Sequence, residues 1–278
     1  MFKIRTLVCL SLASSLSFSV VAAQNEISFG VSDQDFIDDS VLNLSYTRYL
    51  TDVSNNAEPS LIAPYLQRVN SVTGRVSTSG SLNRYELGGQ WFINPEWVIS
   101  GNARYHDLDD SAISSWYSGD VSLGYFINPK WQVGAGYFYQ HIEGETTGYM
   151  LVDGEWVAEN YSLSDSDSDG ALFTRYTDVN NGQGWDLSAR VIFSSETRYE
   201  ADANYFFTKR FSLGLDYTHL SRDHNTREYI YFGDANIASL KSNYWFTNRF
   251  SMSFKVSSYI GSDQTGVADI NLLANYRF

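Results

Sequence analysis

The chain has 278 residues, 16% of them aromatic, and carries 19 basic against 32 acidic side chains for a formal net charge of −13. That acidity disfavours nucleic-acid binding and any association that depends on a basic patch. The aromatic content excludes a disordered chain, which lacks the apolar surface needed to offset its ordering entropy.

Lys3 and Arg5 open the chain, an apolar, Ser-rich stretch follows over 7–21, and Val21-Ala22-Ala23 ends it on small residues. This is the pattern of an export signal, expected to occupy 1–23 and to leave 24–278 as one domain. The only cysteine, Cys9, falls in that signal, which leaves no disulfide, thiolate or Cys-ligated metal beyond it. Removing Lys3 and Arg5 leaves 17 basic against 32 acidic residues, a net of −15. No later run of eighteen apolar residues predicts a membrane-spanning helix, so a membrane-spanning chain of this kind must close a β-barrel.

From there to the end, apolar and polar residues alternate. Trp131, Val133, Ala135, Tyr137 and Tyr139 share one parity; Phe211, Leu213, Leu215 and Tyr217 do the same, as do Phe250, Met252, Phe254 and Val256. A period of two over eight to ten residues predicts strands with one apolar and one polar face. A short turn recurs as Phe92-Ile93-Asn94-Pro95-Glu96-Trp97 and Phe126-Ile127-Asn128-Pro129-Lys130-Trp131, with looser copies at 206–211 and 245–250. A second form links Arg48-Tyr49-Leu50-Thr51-Asp52-Val53 with Arg175-Tyr176-Thr177-Asp178-Val179. Turns are thus expected near 52, 94, 128, 180, 208 and 247, separated by longer acidic connections.

These turns predict about fourteen strands, with twelve or sixteen as alternatives: 25–33, 41–50, 60–71, 82–92, 97–107, 115–126, 131–142, 170–177, 185–194, 197–207, 211–221, 235–246, 250–260 and 268–278. Residues 60–80, with Pro59 and Pro64, fit least well. The fold class expected is all-β: a transmembrane, antiparallel, up-and-down barrel with short periplasmic turns and longer extracellular loops. Three features favour it over a soluble sandwich. Aromatics gather at strand ends (Trp91, Trp97, Tyr125, Trp131, Tyr205, Phe211, Tyr244, Phe250), where membrane barrels carry girdles. The polar face is rich in Gly, Ser, Asn and mixed charge. The final strand ends on Tyr276 and Phe278, one aromatic face that must pair with the first strand to close the sheet.

In these features the chain resembles the Gram-negative outer-membrane porins, in particular the small porins of marine and enteric proteobacteria. The resemblance implies an outer-membrane location, contact with lipid and lipopolysaccharide, and Tyr276 and Phe278 as a signal to the barrel assembly machinery. It implies passive diffusion of small polar solutes with weak charge selectivity, no cofactor and no nucleic-acid partner. The loop at 108–114 is short for an inward constriction, which favours a monomer over a trimer.

Strand parity sends Arg84, Arg104, Arg190, Arg198, Lys241, Lys255 and Arg277 inward, together with Glu86, Asp120, Asp186, Glu200, Asp202 and Asp216. These are read as a pore lining, either paired as an ordinary wall or opposed as a constriction. Asp165, Asp167 and Asp169 with Gly170 imitate the first half of a calcium loop, but Tyr176 stands where the closing Glu belongs, so a solvated acidic loop is preferred and no metal is assigned. His106, His141, His219 and His224 fall at the outer rim. With abundant Ser they leave open an outer-membrane lipid hydrolase or acyltransferase, although no nucleophile elbow is present. A non-conducting surface barrel that adheres or scaffolds is the other alternative. No plug domain is expected, and 143–169 is the one segment long enough for a gate.

Overall fold

The computed structural model describes residues 23–34, 40–54, 58–80, 82–108, 113–152, 155–193, 197–220, 235–261 and 266–278. Apart from Ala23, the expected signal lies outside them. The strands are β1 (Ala23–Gln34), β2 (Val41–Val53), β3 (Ser71–Thr78), β4 (Leu82–Phe92), β5 (Trp97–Leu108), β6 (Ile113–Asn128) and β7 (Trp131–Val152). They continue with β8 (Glu155–Asn180), β9 (Gln183–Phe193), β10 (Arg198–Thr208), β11 (Phe211–Leu220), β12 (Ala235–Trp245), β13 (Phe250–Tyr259) and β14 (Gly266–Arg277). One short helix, α1 (Ala63–Leu66), lies between β2 and β3.

All fourteen strands form one closed barrel, each antiparallel to its neighbours in sequence. The seam joins β1 to β14 in register from Glu26↔Arg277 to Gln34↔Asp269. Phe278 adds to it: its carbonyl accepts from the amides of Gln24 (3.0 Å) and Asn25 (2.8 Å), and its own amide donates to the Asn25 carbonyl (2.7 Å). The start of β1 and the end of β14 therefore lie at the end of the barrel that carries the short turns.

Those turns are capped by the residue that recurs in each. The Asn94 side-chain oxygen accepts from the amides of Glu96 and Trp97, and Asn128 accepts from Lys130. Thr208 accepts from Arg210 and Phe211, and Thr247 from Arg249 and Phe250. Each side chain replaces a backbone acceptor lost where the ladder stops. The β8–β9 turn instead uses positive φ at Asn181 (53°) and Gly182 (81°), the two-residue form whose twist matches flanking strands.

The expected strand at 60–71 is corrected. Pro59 and Pro64 carry no amide donor and cannot hold a ladder position. Pro64 instead sits in the first turn of α1, and β3 begins only at Ser71, where Leu44↔Val76 sets the register with β2. The turn expected near 52 is thus a long connection, 54–70, and most of the loop expected at 72–81 is strand. The segment 143–169, expected as a loop long enough for a gate, is strand over most of its length. β7 and β8 stay paired as far as Val152↔Glu155, whereas β6 leaves β7 at Gly144 and β9 leaves β8 at Gly170. The segment is a two-stranded ribbon continuing beyond the barrel wall, and Asp165, Asp167 and Asp169 lie in it as alternate residues of β8.

The wall has two faces. Leu87, Leu215 and Leu240 are among the most exposed apolar side chains, all on the outer face. At the turn end, outer rings touch in series: Trp185–Tyr205 (4.8 Å), Tyr205–Phe207 (4.8 Å), Phe207–Phe211 (5.5 Å), Phe211–Tyr244 (6.4 Å), Tyr244–Phe246 (4.8 Å) and Phe246–Phe250 (5.6 Å). Tyr85, Tyr105 and Tyr117 stack at the opposite end. An apolar band between aromatic belts is a surface made for lipid.

Candidate functional site

The inner face gathers the charges into short ladders. Arg104 on β5 lies between Glu86 on β4 (3.6 Å) and Asp120 on β6 (3.2 Å), and Arg75 on β3 reaches Glu86 at 3.8 Å. On the opposite wall Lys241 of β12 pairs with Asp202 of β10, crossing β11 at Gly214, where any side chain would meet it. Lys255 of β13 pairs in the same way with Asp216 of β11 at 3.1 Å. Arg175 of β8 holds Asp186 of β9 through two bonds of 2.8 Å, and Thr177 donates a third at 2.7 Å. Arg198 meets Glu200 at 2.5 Å. Arg277, almost wholly buried, holds Glu26 of β1 at 2.7 and 2.8 Å. Arg84 donates to Ser77, and Arg190 has no ion-pair partner among the described residues.

Register and pairing put these charges on the face opposite Leu87, Leu215 and Leu240, and most are neutralised in pairs. Sequence parity missed Arg75, because its strand was misplaced, and also Arg175 and Glu26. Arg175 carried a visible signal. Leu172, Thr174 and Tyr176 form the outer parity of β8, which sends Phe173, Arg175 and Thr177 inward.

Between these walls is a cavity of about 570 Å³ whose lining runs from Gln90 on β4 to Lys255 on β13. Its floor is made by residues 58–70 of the β2–β3 connection, which fold into the barrel at the turn end. The Tyr65 hydroxyl donates to Gln132 of β7 (2.9 Å), and its ring packs on Phe92 (6.4 Å) and Phe126 (5.9 Å). Arg175 lies over the same ring at 3.6 Å, and Arg68 stands 3.3 Å from the Phe126 centroid. Desolvated cation–ring contacts of this kind are worth up to roughly 2 kcal/mol each. Burial pushes the Tyr65 hydroxyl above its ordinary pKa against the pull of Arg175, so it stays a neutral donor.

The same segment is tied to the far wall. The Ser60 amide donates to the Lys209 carbonyl in the β10–β11 turn (3.0 Å), and the Ser60 carbonyl accepts from Arg277 (3.2 Å). Asn70 closes its exit, with its carbonyl taking the Leu50 amide and its side chain the Phe92 amide (2.6 Å). Val53, Ala63 and Val69 are buried with Tyr49 beneath it. A segment fixed to β2, β4, β6, β7, β8 and β14 spans the lumen. No separate plug domain was expected, and this insert is part of the β2–β3 connection itself.

The plug explains a second feature. Phe92, Phe126, Phe206 and Trp245 are buried on the inner face, each immediately before an outward neighbour (Ile93, Ile127, Phe207, Phe246). Apolar doublets at strand ends break the alternation, so one member of each must point inward. That pattern was the available signal for an inner cover.

The other sequence candidates stay apart. Asp165, Asp167 and Asp169 lie on an extended strand, where alternate residues are roughly 6.6 Å apart, too far for three oxygens to ligate one ion at about 2.4 Å. Among the described residues no group of three His, Cys, Asp or Glu could hold a metal. His106 stacks on Trp116 (4.4 Å), His141 meets Glu143 and His219 meets Asn236, so among the described residues no histidine hydrogen-bonds a serine hydroxyl. His224 lies outside them.

No protein-family model matches the chain and no curated protein matches it by sequence. Solved structures do. The outer-membrane protein Omp33 of Acinetobacter baumannii is similar at TM-score 0.66 and 15% identity, over 94% of this chain and 100% of that one. The toluene transporter TodX of Pseudomonas putida is similar at TM-score 0.51 and 11% identity, over 91% and 89%. A deletion mutant of that monoaromatic hydrocarbon channel reaches TM-score 0.57 at 10% identity, over 92% and 90%. At such identities the likeness defines the class of fold, that of the outer-membrane β-barrels. More particularly, this chain is a fourteen-stranded antiparallel barrel closed upon itself.

Proposed function

We propose that this protein is an outer-membrane diffusion barrel for small polar solutes, gated at its turn end by residues 54–70. The carrying observation is a cavity walled by balanced ion pairs, standing on a floor made by an inserted segment rather than by the wall itself. Fourteen strands tilted near 40° enclose a backbone radius of roughly 14 Å, too wide for side chains alone to fill. The plug therefore decides conduction. In this reading the turn end faces the periplasm and residues 1–23 are the export signal. Lipid and lipopolysaccharide contact the outer face, and the protein acts as a monomer. Tyr276 and Phe278, stacked at 5.9 Å on that face, serve as the assembly signal before they close the seam.

Because the charges are neutralised locally, selectivity between cations and anions should be weak, with an added cation preference from the acidic outer segments that fades as salt shortens the Debye length. The test is current through the refolded, heat-modifiable protein in planar bilayers. Brief openings from a closed baseline are expected. Silence at all voltages, even after the plug is excised, would leave the second reading, a non-conducting surface barrel, which the buried plug itself favours.

A further inference from the structure

We infer that the chamber above the plug is a binding site for small aromatic carboxylates, with Arg190 taking the carboxylate and Phe173 the ring. This rests on the diffusion reading and names the solute class of the same lumen.

Four cations line the chamber: Arg175, Arg190, Lys241 and Lys255. Three have carboxylate partners, in Asp186, Asp202 and Asp216. Arg190 has none among the described residues. Its register partner on β10 is Glu200, which is engaged by Arg198 instead. The Arg190 Nε is buried without a hydrogen-bond acceptor. A guanidinium that lines a cavity without a carboxylate partner is matched by a carboxylate, whose two oxygens fit its planar fork.

The neighbour of Arg190 decides what the carboxylate is attached to. Its register partner on β8 is Phe173, an aromatic ring on a wall otherwise polar at this height. The ring has room because its partner on β7 is Gly134: a Cβ there would come within 2.2 Å of the Phe173 ring and 2.4 Å of the Leu123 carbonyl. Phe173 lies over Gly134 and lines the chamber, one ladder position from Arg190, where paired Cβ atoms are about 5 Å apart. Ring–ring stacking and a charge-assisted pair can then be made by one small ligand at once. Across the chamber Ser100 and Ser122, hydrogen-bonded to each other at 2.7 Å, and Gln90 offer polar neutral groups for ring substituents.

The probe is benzoate, measured by equilibrium dialysis against the detergent-purified barrel, with potassium chloride conductance recorded on the same preparation. Saturable benzoate binding is expected, with acetate (charge without ring) and benzyl alcohol (ring without charge) each competing at least tenfold less well. Arg190→Gln and Phe173→Ser should each weaken benzoate binding tenfold or more, and Arg190→Lys by less than Arg190→Gln. Heat-modifiable migration confirms that each variant is folded. A conducting protein without saturable benzoate binding overturns the inference and leaves the diffusion reading intact. Equal binding by wild type and Arg190→Gln overturns it too. Saturable, Arg190-dependent binding in a protein that never conducts supports the site and removes the channel.

Discussion

Six connections close strand pairs at the turn end, and they do so in two opposite ways. Five are tight turns held by their own residues: Asn94, Asn128, Thr208 and Thr247 each cap the turn they belong to, and Asn181-Gly182 supplies its own positive φ. The sixth, 54–70, is held by residues far away in sequence, including Gln132, Arg175, Lys209 and Arg277. The first kind only ends a hairpin. The second exchanges local economy for reach, and it alone can change what the lumen does without opening the sheet.

The sharpest test of that division removes the sixth connection. Replacing 55–68 with a short Asn-Gly turn should leave the barrel folded, because no strand of the closed ladder loses its register partners. It should raise the mean current at least tenfold, since the floor of the 570 Å³ chamber disappears. Phe92, Phe126 and Trp245 would then face water inside the lumen, so a modest fall in thermal stability should accompany it. Unchanged conductance would show that the closure lies elsewhere.

A smaller effect is expected from one side chain of the plug. Tyr65→Ala removes a half-buried ring, its bond to Gln132 and its contact with Arg175. Such truncations cost about 2–3 kcal/mol, and at 1.4 kcal/mol per decade this shifts a closed–open balance by roughly a hundredfold. Open probability in bilayers should rise accordingly, while the unfolding temperature of the barrel stays near wild type. A large drop in unfolding temperature with no change in gating would make Tyr65 a structural pillar instead.

The same contrast explains what could be read from the residues alone. Strand parity is local, so Leu213 and Leu215 outward and Asp216 and Lys255 inward follow from a period of two. The plug is not local. Its anchor Arg277 bonds Ser60 across 217 positions, and nothing near Ser60 announces it. Pro59 and Pro64 were the nearby hint, read as a poor strand when they mark no strand. A likeness between segments also misled. Arg48-Tyr49 and Arg175-Tyr176 share a sequence but face oppositely: Tyr49 is buried and bonds Glu26, whereas Tyr176 is exposed and Arg175 turns inward. A shift of one residue flips every side chain of a strand, so similar words at different parity have different roles. The Arg190–Phe173 pair was half legible. Arg190 was on the inner list, but Phe173 acquires meaning only beside Gly134, which the register of β7 with β8 supplies.

The smallest effect belongs to the local caps, and it completes the contrast. Asn94→Ala and Thr247→Ala each delete a side chain that accepts two amides at distances between 2.8 and 3.1 Å. Those amides lie at exposed turns, so water can replace the lost acceptor, and the cost should be about 1 kcal/mol or less per site. Neither cap touches residues 54–70. Each substitution should therefore lower the unfolding midpoint in urea slightly and leave conductance, open probability and benzoate binding at wild-type values. The pair should add, because the β4–β5 and β12–β13 turns share no partner. A change in gating from either cap would mean that a tight turn communicates with the plug, and the two ways of closing the turn end would no longer be separate.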